Sequence, residues 1–261
     1  MGLQCLGGLE GGCYFPWDQD ELVARKVLEL ERMDRYKCNI IMEGGSIHVD
    51  GEGTLITTEE CLLNHNRNPQ LKKDQIEDNL RDYLNVEKII WLGKGVYMDR
   101  DTNGHIDNLC CFIRPGVVAL TWTDDKNDPQ YTISRDAYQR LSETTDAMGR
   151  KLNIHKIHQP GPLYITKEES EGIDFVEGTM PRIAGERMAA SYINFYIAND
   201  GIIIPKFDDP HDQDAFEAFK MLFGDRRVIQ VFTREILLCD GNIHCITQQQ
   251  PSKLTSEASY E

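Results

Sequence analysis

Apolar positions along the chain fall into short blocks that recur in one order. Residues 47–49 and 54–57 alternate around the polar turn Asp50-Gly51-Glu52-Gly53 and read as a hairpin. A helix is expected over 72–84, with Ile76, Leu80 and Leu84 on one face, and a strand over 88–91. The order returns twice. Strands at 106–113 and 117–121 flank Arg114-Pro115-Gly116, ahead of a helix at 134–148 and a strand at 152–156. Strands at 192–198 and 202–205 flank Asn199-Asp200-Gly201, ahead of a helix at 212–222 and a strand at 227–231. A fourth round opens at Asn242 and stops at once. Before the first round, Asp18 and Glu21 supply the capping box of a helix striped by Leu22, Val23, Val27, Leu28 and Leu30, and 40–42 reads as a short strand.

A ββαβ unit of this kind cannot bury its own apolar face and needs neighbours, so the repeat predicts an α/β radial array. Residues 1–251 are read as one domain and 252–261 as a polar, frayed tail. The 261 residues with 40% hydrophobic content suffice for a sizeable core. Eight cysteines are scattered without paired CxxC spacing, and the opening residues lack the basic-then-apolar pattern of a secretory signal. Reduced thiols in the cytoplasm are therefore expected. No apolar run is long enough to span a bilayer, so no membrane association is expected. The formal net charge of −15 argues against nucleic acid as the main partner and favours encounter with a small cation, though solubility alone also accounts for it.

Three places carry candidate chemistry. Cys245 sits in a short apolar run; alternation would put it with Ile243, and His244 on the opposite face, so its base must be another histidine brought near through space. His105 and Asp107, spaced i, i+2 after Asn103-Gly104, would point the same way from a strand. Glu43 ends an apolar stretch and precedes Gly44-Gly45, where missing side chains let something approach. Taken singly, Cys245 also reads as a small core residue, His105 and Asp107 as a polar strand end, and Glu43 as a solvated hairpin-entry acid. Taken together, the acids and the imidazole lie at hairpin starts in different repeats, which a radial array would gather at one end. A thiol, an imidazole and two carboxylates suit attack on a guanidinium carbon. His155 and His158 lack flanking acids or cysteines, the 6–12 segment lacks phosphate-loop spacing, and no metal or cofactor is expected.

The stretches Gly7-Gly8-Leu9-Glu10-Gly11-Gly12, Glu43 to Thr54 (opening Glu43-Gly44-Gly45-Ser46), Asn64-His65-Asn66-Arg67-Asn68-Pro69, Thr102-Asn103-Gly104-His105-Ile106-Asp107-Asn108 and Gly241 to Pro251 (opening Gly241-Asn242-Ile243-His244-Cys245) resemble the agmatine deiminases (agmatine iminohydrolases). These belong to the guanidine-modifying, peptidyl-arginine-deiminase-like pentein superfamily, and the wording is closest to plant-type members. The resemblance implies a fivefold α/β propeller of ββαβ modules. It also implies hydrolysis of agmatine to N-carbamoylputrescine and ammonia in putrescine synthesis, without metal or organic cofactor. Carried over, Cys245 is the nucleophile. His105 protonates the departing ammonia and then activates water against the thiouronium intermediate. Glu43 and Asp107 grip the guanidinium, and Asp99, in Asp99-Arg100-Asp101, meets the distal ammonium. Family members also carry a first module and an aspartate that shares the grip ahead of the matching segment, so the chain is expected to lack that wall. Asp240 stands where the family has glycine. Two alternatives use the same parts: a non-catalytic remnant that binds agmatine weakly or pairs with full-length subunits, and a deiminase or amidinotransferase acting on another guanidine such as arginine. Unpaired strand edges predict a homo-oligomer.

Overall fold

The computed structural model describes residues 18–177, 179–239 and 241–250. The 7–12 glycine motif, Asp240 and the 252–261 tail lie outside them. The first helix, α1 (Asp20–Glu31), precedes a sheet made of β1 (Ile47–Val49), β2 (Thr54–Thr58) and β3 (Lys88–Leu92). The short helix α2 (Glu59–Leu62) and the longer α3 (Lys73–Leu84) connect β2 to β3. The second sheet holds β4 (Cys110–Arg114), β5 (Val117–Trp122) and β6 (Asn153–His158), with α4 (Gln130–Ser142) as the crossover. After α5 (Lys167–Glu171) comes the third: β7 (Tyr196–Ile197), β8 (Gly201–Lys206), α6 (Asp212–Leu222) and β9 (Arg227–Phe232), followed by α7 (Arg234–Leu238).

In each sheet the first two strands pair antiparallel and the third pairs parallel to the second, so the central strand receives hydrogen bonds on both edges. The expected ββαβ repeat is borne out three times among the described residues. Alternation then ties neighbouring modules together, because the central strands β2 and β5 each feed two different cores. Leu55 of β2 packs with Ile76, Leu80 and Val86 of its own module. Ile56, one residue on, packs with Val118, Leu120 and Leu141 of the second module. Val117 and Ala119 of β5 face the other way, onto Ile202, Ile204 and Phe219 of the third.

Local departures from expectation have local causes. Residues 40–42 form no strand: the side chain of Asn68 donates to the Ile41 carbonyl and accepts from its N–H, both at 2.8 Å, replacing a ladder with one amide. The helix α1 starts at Asp20 with Gln19, not Asp18, as N-cap and with no side-chain cap bond. Its apolar stripe is uncovered, with Val27 49% and Leu30 81% exposed. The helix expected at 134–148 begins and ends earlier, at Gln130 and Ser142, because Thr145 leaves it to bridge Lys151. No helix among the described residues is long and apolar enough to cross a membrane.

Candidate active site

The segments that precede the three hairpins converge. Glu43 precedes β1, His105 and Asp107 precede β4, and Asn194 precedes β7; Cys245 lies beyond α7. The segment 106–113 is not one strand. Asn103 (φ 56°) and Gly104 (φ 81°) turn the chain, His105 caps a 3-10 turn over Ile106–Asn108, and β4 starts only at Cys110. His105 and Asp107 therefore reach one place from a turn rather than from a shared strand face. Gly45 lies between them: a Cβ there would sit 2.6 Å from both the His105 Nδ1 and the Asp107 Oδ2. The glycine after Glu43 thus serves close approach, as read, and what approaches is the imidazole and the second carboxylate.

Glu43 is buried, and its Oε2 accepts from Arg67 Nε at 2.8 Å and lies 3.4 Å from His105 Nε2. Arg67 is buried too, and donates further to the Thr102 carbonyl at 2.7 Å and to Asn103 Oδ1 at 3.0 Å. One guanidinium thus fixes Glu43 against the 102–105 loop. Burial works to raise the Glu43 pKa, but His105 and Arg67 outweigh it and hold the carboxyl below its ordinary value. Burial likewise opposes the imidazolium of His105, yet its hydrogen bonds to Cys61 and Glu43, with the nearby Asp107, hold its pKa well above the ordinary value. Glu43, Cys61 and His105 have donor atoms within 4.8 Å of one another. The Arg67 cation already lies against Glu43 and opposes a metal ion there.

Asp107 is fully buried. Its Oδ2 accepts from His244 Nδ1 at 2.8 Å and from the Cys245 thiol at 3.4 Å, while Oδ1 has no partner among the described residues. Burial alone would raise its pKa; His244 and His105 bring it below the ordinary value. The residues around Cys245 form tight turns, not a strand, so the alternation read for 242–246 does not apply. His244 still makes no bond to the thiol; it reaches Asp107 instead. The Asn194 amide donates to the Cys245 sulfur at 3.3 Å, and its Oδ1 accepts the His244 N–H at 2.9 Å. A Cβ on Gly241 would lie 3.0 Å from that sulfur, so a side chain there would crowd the turn. Cys245 has an exposed edge, but desolvation of its sulfur and the Asp107 carboxylate together push the thiol well above its ordinary pKa.

A family profile described as Porphyromonas-type peptidyl-arginine deiminase matches residues 9–251. The chain belongs to that family. An agmatine deiminase of Pseudomonas aeruginosa is 58% identical over 252 residues, covering 96% of this chain and 68% of that protein. One from Medicago truncatula is 57% identical over 94% of this chain and 66% of its own length. The solved structure of the agmatine deiminase of Enterococcus faecalis superimposes with a TM-score of 0.91 at 52% identity, covering 95% of this chain and 68% of that one. The chain thus spans about two thirds of these relatives.

In this member of the peptidyl-arginine deiminase family a cavity of about 140 Å³ is lined by Asp99, Thr102, Asn108, Ile165, Met188 and by Gly241 of the segment that leads to Cys245. Asp99 stands in its wall with its carboxylate turned to its own loop, accepting from the Thr102 hydroxyl at 2.5 Å and the His105 N–H at 3.2 Å. Burial raises its pKa. Arg100 and Arg182 of the same wall pair with Glu186 and Asp101 at 3.3 Å and 3.1 Å. His155 and His158 lie elsewhere; His158 stacks on His211 with ring centres 4.2 Å apart. Arg67, Asn194 and His244 escaped the sequence reading. Arg67 and His244 sat inside recognised blocks, but no spacing links residue 67 to 43 or residue 244 to 107, and Asn194 lay in a segment read as strand.

Proposed function

We propose that this site hydrolyses agmatine to N-carbamoylputrescine and ammonia through a covalent intermediate on Cys245, a step toward putrescine. The observation that carries this reading is the buried Asp107, with one oxygen beside the thiol and the other unpartnered; its neighbour Asn108 lines a cavity of about 140 Å³. A buried carboxylate oxygen without a donor favours a cation, and a guanidinium supplies planar N–H groups in the matching geometry.

The Cys245 sulfur, as thiolate, attacks the guanidinium carbon and forms a C–S bond. Binding of a cation at Asp107 relieves the charge that keeps the thiol protonated, so substrate itself favours the nucleophile. His105, held protonated by Glu43 and Cys61, gives its proton to the departing nitrogen as the C–N bond breaks. Left neutral, it takes a proton from water, whose oxygen attacks the thiouronium carbon; the C–S bond then breaks and returns the thiolate, and the remaining hydroxyl proton passes to solvent as the urea carbonyl forms. Glu43 and Asp107 hold the guanidinium nitrogens, and Asp99, which lines the cavity, is the acid for the distal ammonium. The wall arginines Arg100 and Arg182 are already engaged by acids, so the carboxylate of arginine would have to disrupt an ion pair to bind there. Cys61, Cys110, Cys111 and Cys245 carry free thiols, which suits the reducing cytoplasm. No metal or organic cofactor takes part in this scheme.

The test is ammonia release by the purified chain from agmatine and from arginine, beside Cys245→Ala. Release that depends on agmatine and vanishes in the variant is expected. Agmatine-dependent release no greater than that of the variant overturns the reading and leaves a binding remnant.

A further inference from the structure

We propose that His244 is a positioning residue: by donating to one oxygen of Asp107 it keeps the other turned to the guanidinium and weakens the carboxylate's hold on the Cys245 proton. This rests on the roles given above to Asp107 and Cys245. An ionised carboxylate only accepts, so the 2.8 Å contact requires the proton on His244 Nδ1. The same oxygen, Oδ2, is what the thiol meets at 3.4 Å. Two donors therefore compete for one oxygen, and the imidazole has the shorter contact. Among the described hydrogen bonds, removing it would leave the thiol as the remaining donor to that carboxylate and free the Asp107 side chain to rotate, exchanging Oδ1 for Oδ2.

The imidazole is itself held. Its backbone N–H donates to Asn194 Oδ1 at 2.9 Å. Its ring lies 6.2 Å, centre to centre, from that of His48. His48 Nδ1 accepts from the Phe112 N–H, so that ring is anchored to β4 rather than to Asp107. Burial first, then His244, push the His48 pKa down to about 3, so His48 is neutral and does not compete for the carboxylate. His105 approaches Asp107 across Gly45. The titratable groups around this contact are thus Asp107, Cys245, His48 and His105, with Cys111, whose thiol lies 3.7 Å from the Asp107 carbonyl, and Asp99 beyond them; among these the described side-chain hydrogen bonds join His244 to Asp107.

The experiment compares the full chain with His244→Leu, which removes the donor, and His244→Asn, whose amide nitrogen can stand near the ring Nδ1 and keeps one. Iodoacetamide alkylation of Cys245, followed by mass spectrometry across pH, reads the thiolate without any substrate. His244→Leu should move the alkylation midpoint to higher pH and slow the reaction about tenfold near pH 8, since a charge-assisted hydrogen bond is lost. Its kcat/KM on agmatine should fall about tenfold or more, and His244→Asn should stay within about threefold of the parent in both assays. An alkylation profile in His244→Leu that matches the parent overturns the proposal. So does an equal defect in both variants, which would mark a merely structural role. Should the parent release no ammonia from agmatine, the agmatine reading falls, while the alkylation profiles still decide the role of His244.

Discussion

Replacing Arg67 with methionine tests how the site is held together. The Arg67 and Glu43 side chains are 3% and 7% exposed, so their 2.8 Å contact is an ion pair withdrawn from water. The variant keeps the side-chain bulk but leaves the Glu43 carboxylate with His105 alone, and strips donors from the Thr102 carbonyl and Asn103 Oδ1. Breaking a buried pair from one side costs about 3–5 kcal/mol, because the remaining charge stays in a poorly solvated place. At about 2–4 °C per kcal/mol for a domain near this size, the melting temperature should fall by roughly 6–20 °C. Urea unfolding and a thermal melt measure both quantities. Neutralising the partner as well, in Arg67→Met with Glu43→Gln, should recover a good part of the loss, since the Glu43 charge is then no longer buried and His105 can shed its proton. A single variant within about 0.5 kcal/mol of the parent would show that the pair behaves like a solvated surface contact. A double variant no more stable than the single would show that packing, not charge, holds the loop.

Other expectations are as specific. Gly45→Ala should cut ammonia release about a hundredfold, because its Cβ would fall 2.6 Å from two site atoms and misplace them. Gly44→Ala, whose nearest neighbour is Gln248 Oε1 at 3.8 Å, should be mild, and equal defects in the two would refute the reasoning. The raised His105 pKa stabilises the fold fully below the unfolded imidazole value of about 6.5, and that contribution disappears as pH rises through the higher folded value. The unfolding free energy of the parent, less that of His105→Gln, should therefore decline with rising pH; a difference independent of pH contradicts it. Tyr192→Phe removes the 2.8 Å bond to buried Asp212, which keeps the Phe207 and Asp209 N–H groups, so a loss of about 1 kcal/mol is expected in urea unfolding. A loss above about 3 kcal/mol would mean that the remaining donors do not satisfy that carboxylate.

The repeat was legible because it is written in local periodicities. Strand alternation and the three-to-four spacing of Ile76, Leu80 and Leu84 are set by backbone geometry within a few residues, and α6 falls on the expected 212–222. The motif blocks also placed the chain in its family, as the profile over 9–251 bears out. Local pattern misled where a side chain took over a backbone role or a turn replaced a strand. Asn68 satisfies Ile41, so 40–42 needs no sheet. Positive φ at Asn103 and Gly104 puts His105 and Asp107 on a 3-10 turn. Turns at 242–247 cancel the two-faced reading that set His244 aside.

By itself the sequence determined the order of hairpin, helix and strand, the apolar faces that make the modules pack, and the kinds of reactive group available. Only the tertiary structure decided which atoms meet. Glu43 and His105 are 62 residues apart, and Asp107 and Cys245 are 138 apart. Their contacts depend on how whole sheets stack through shared central strands, and no local rule encodes that stacking. The same stacking withdraws Arg67, Glu43, His105 and Asp107 from water, and burial is what turns ordinary acids and an imidazole into groups with displaced pKa values.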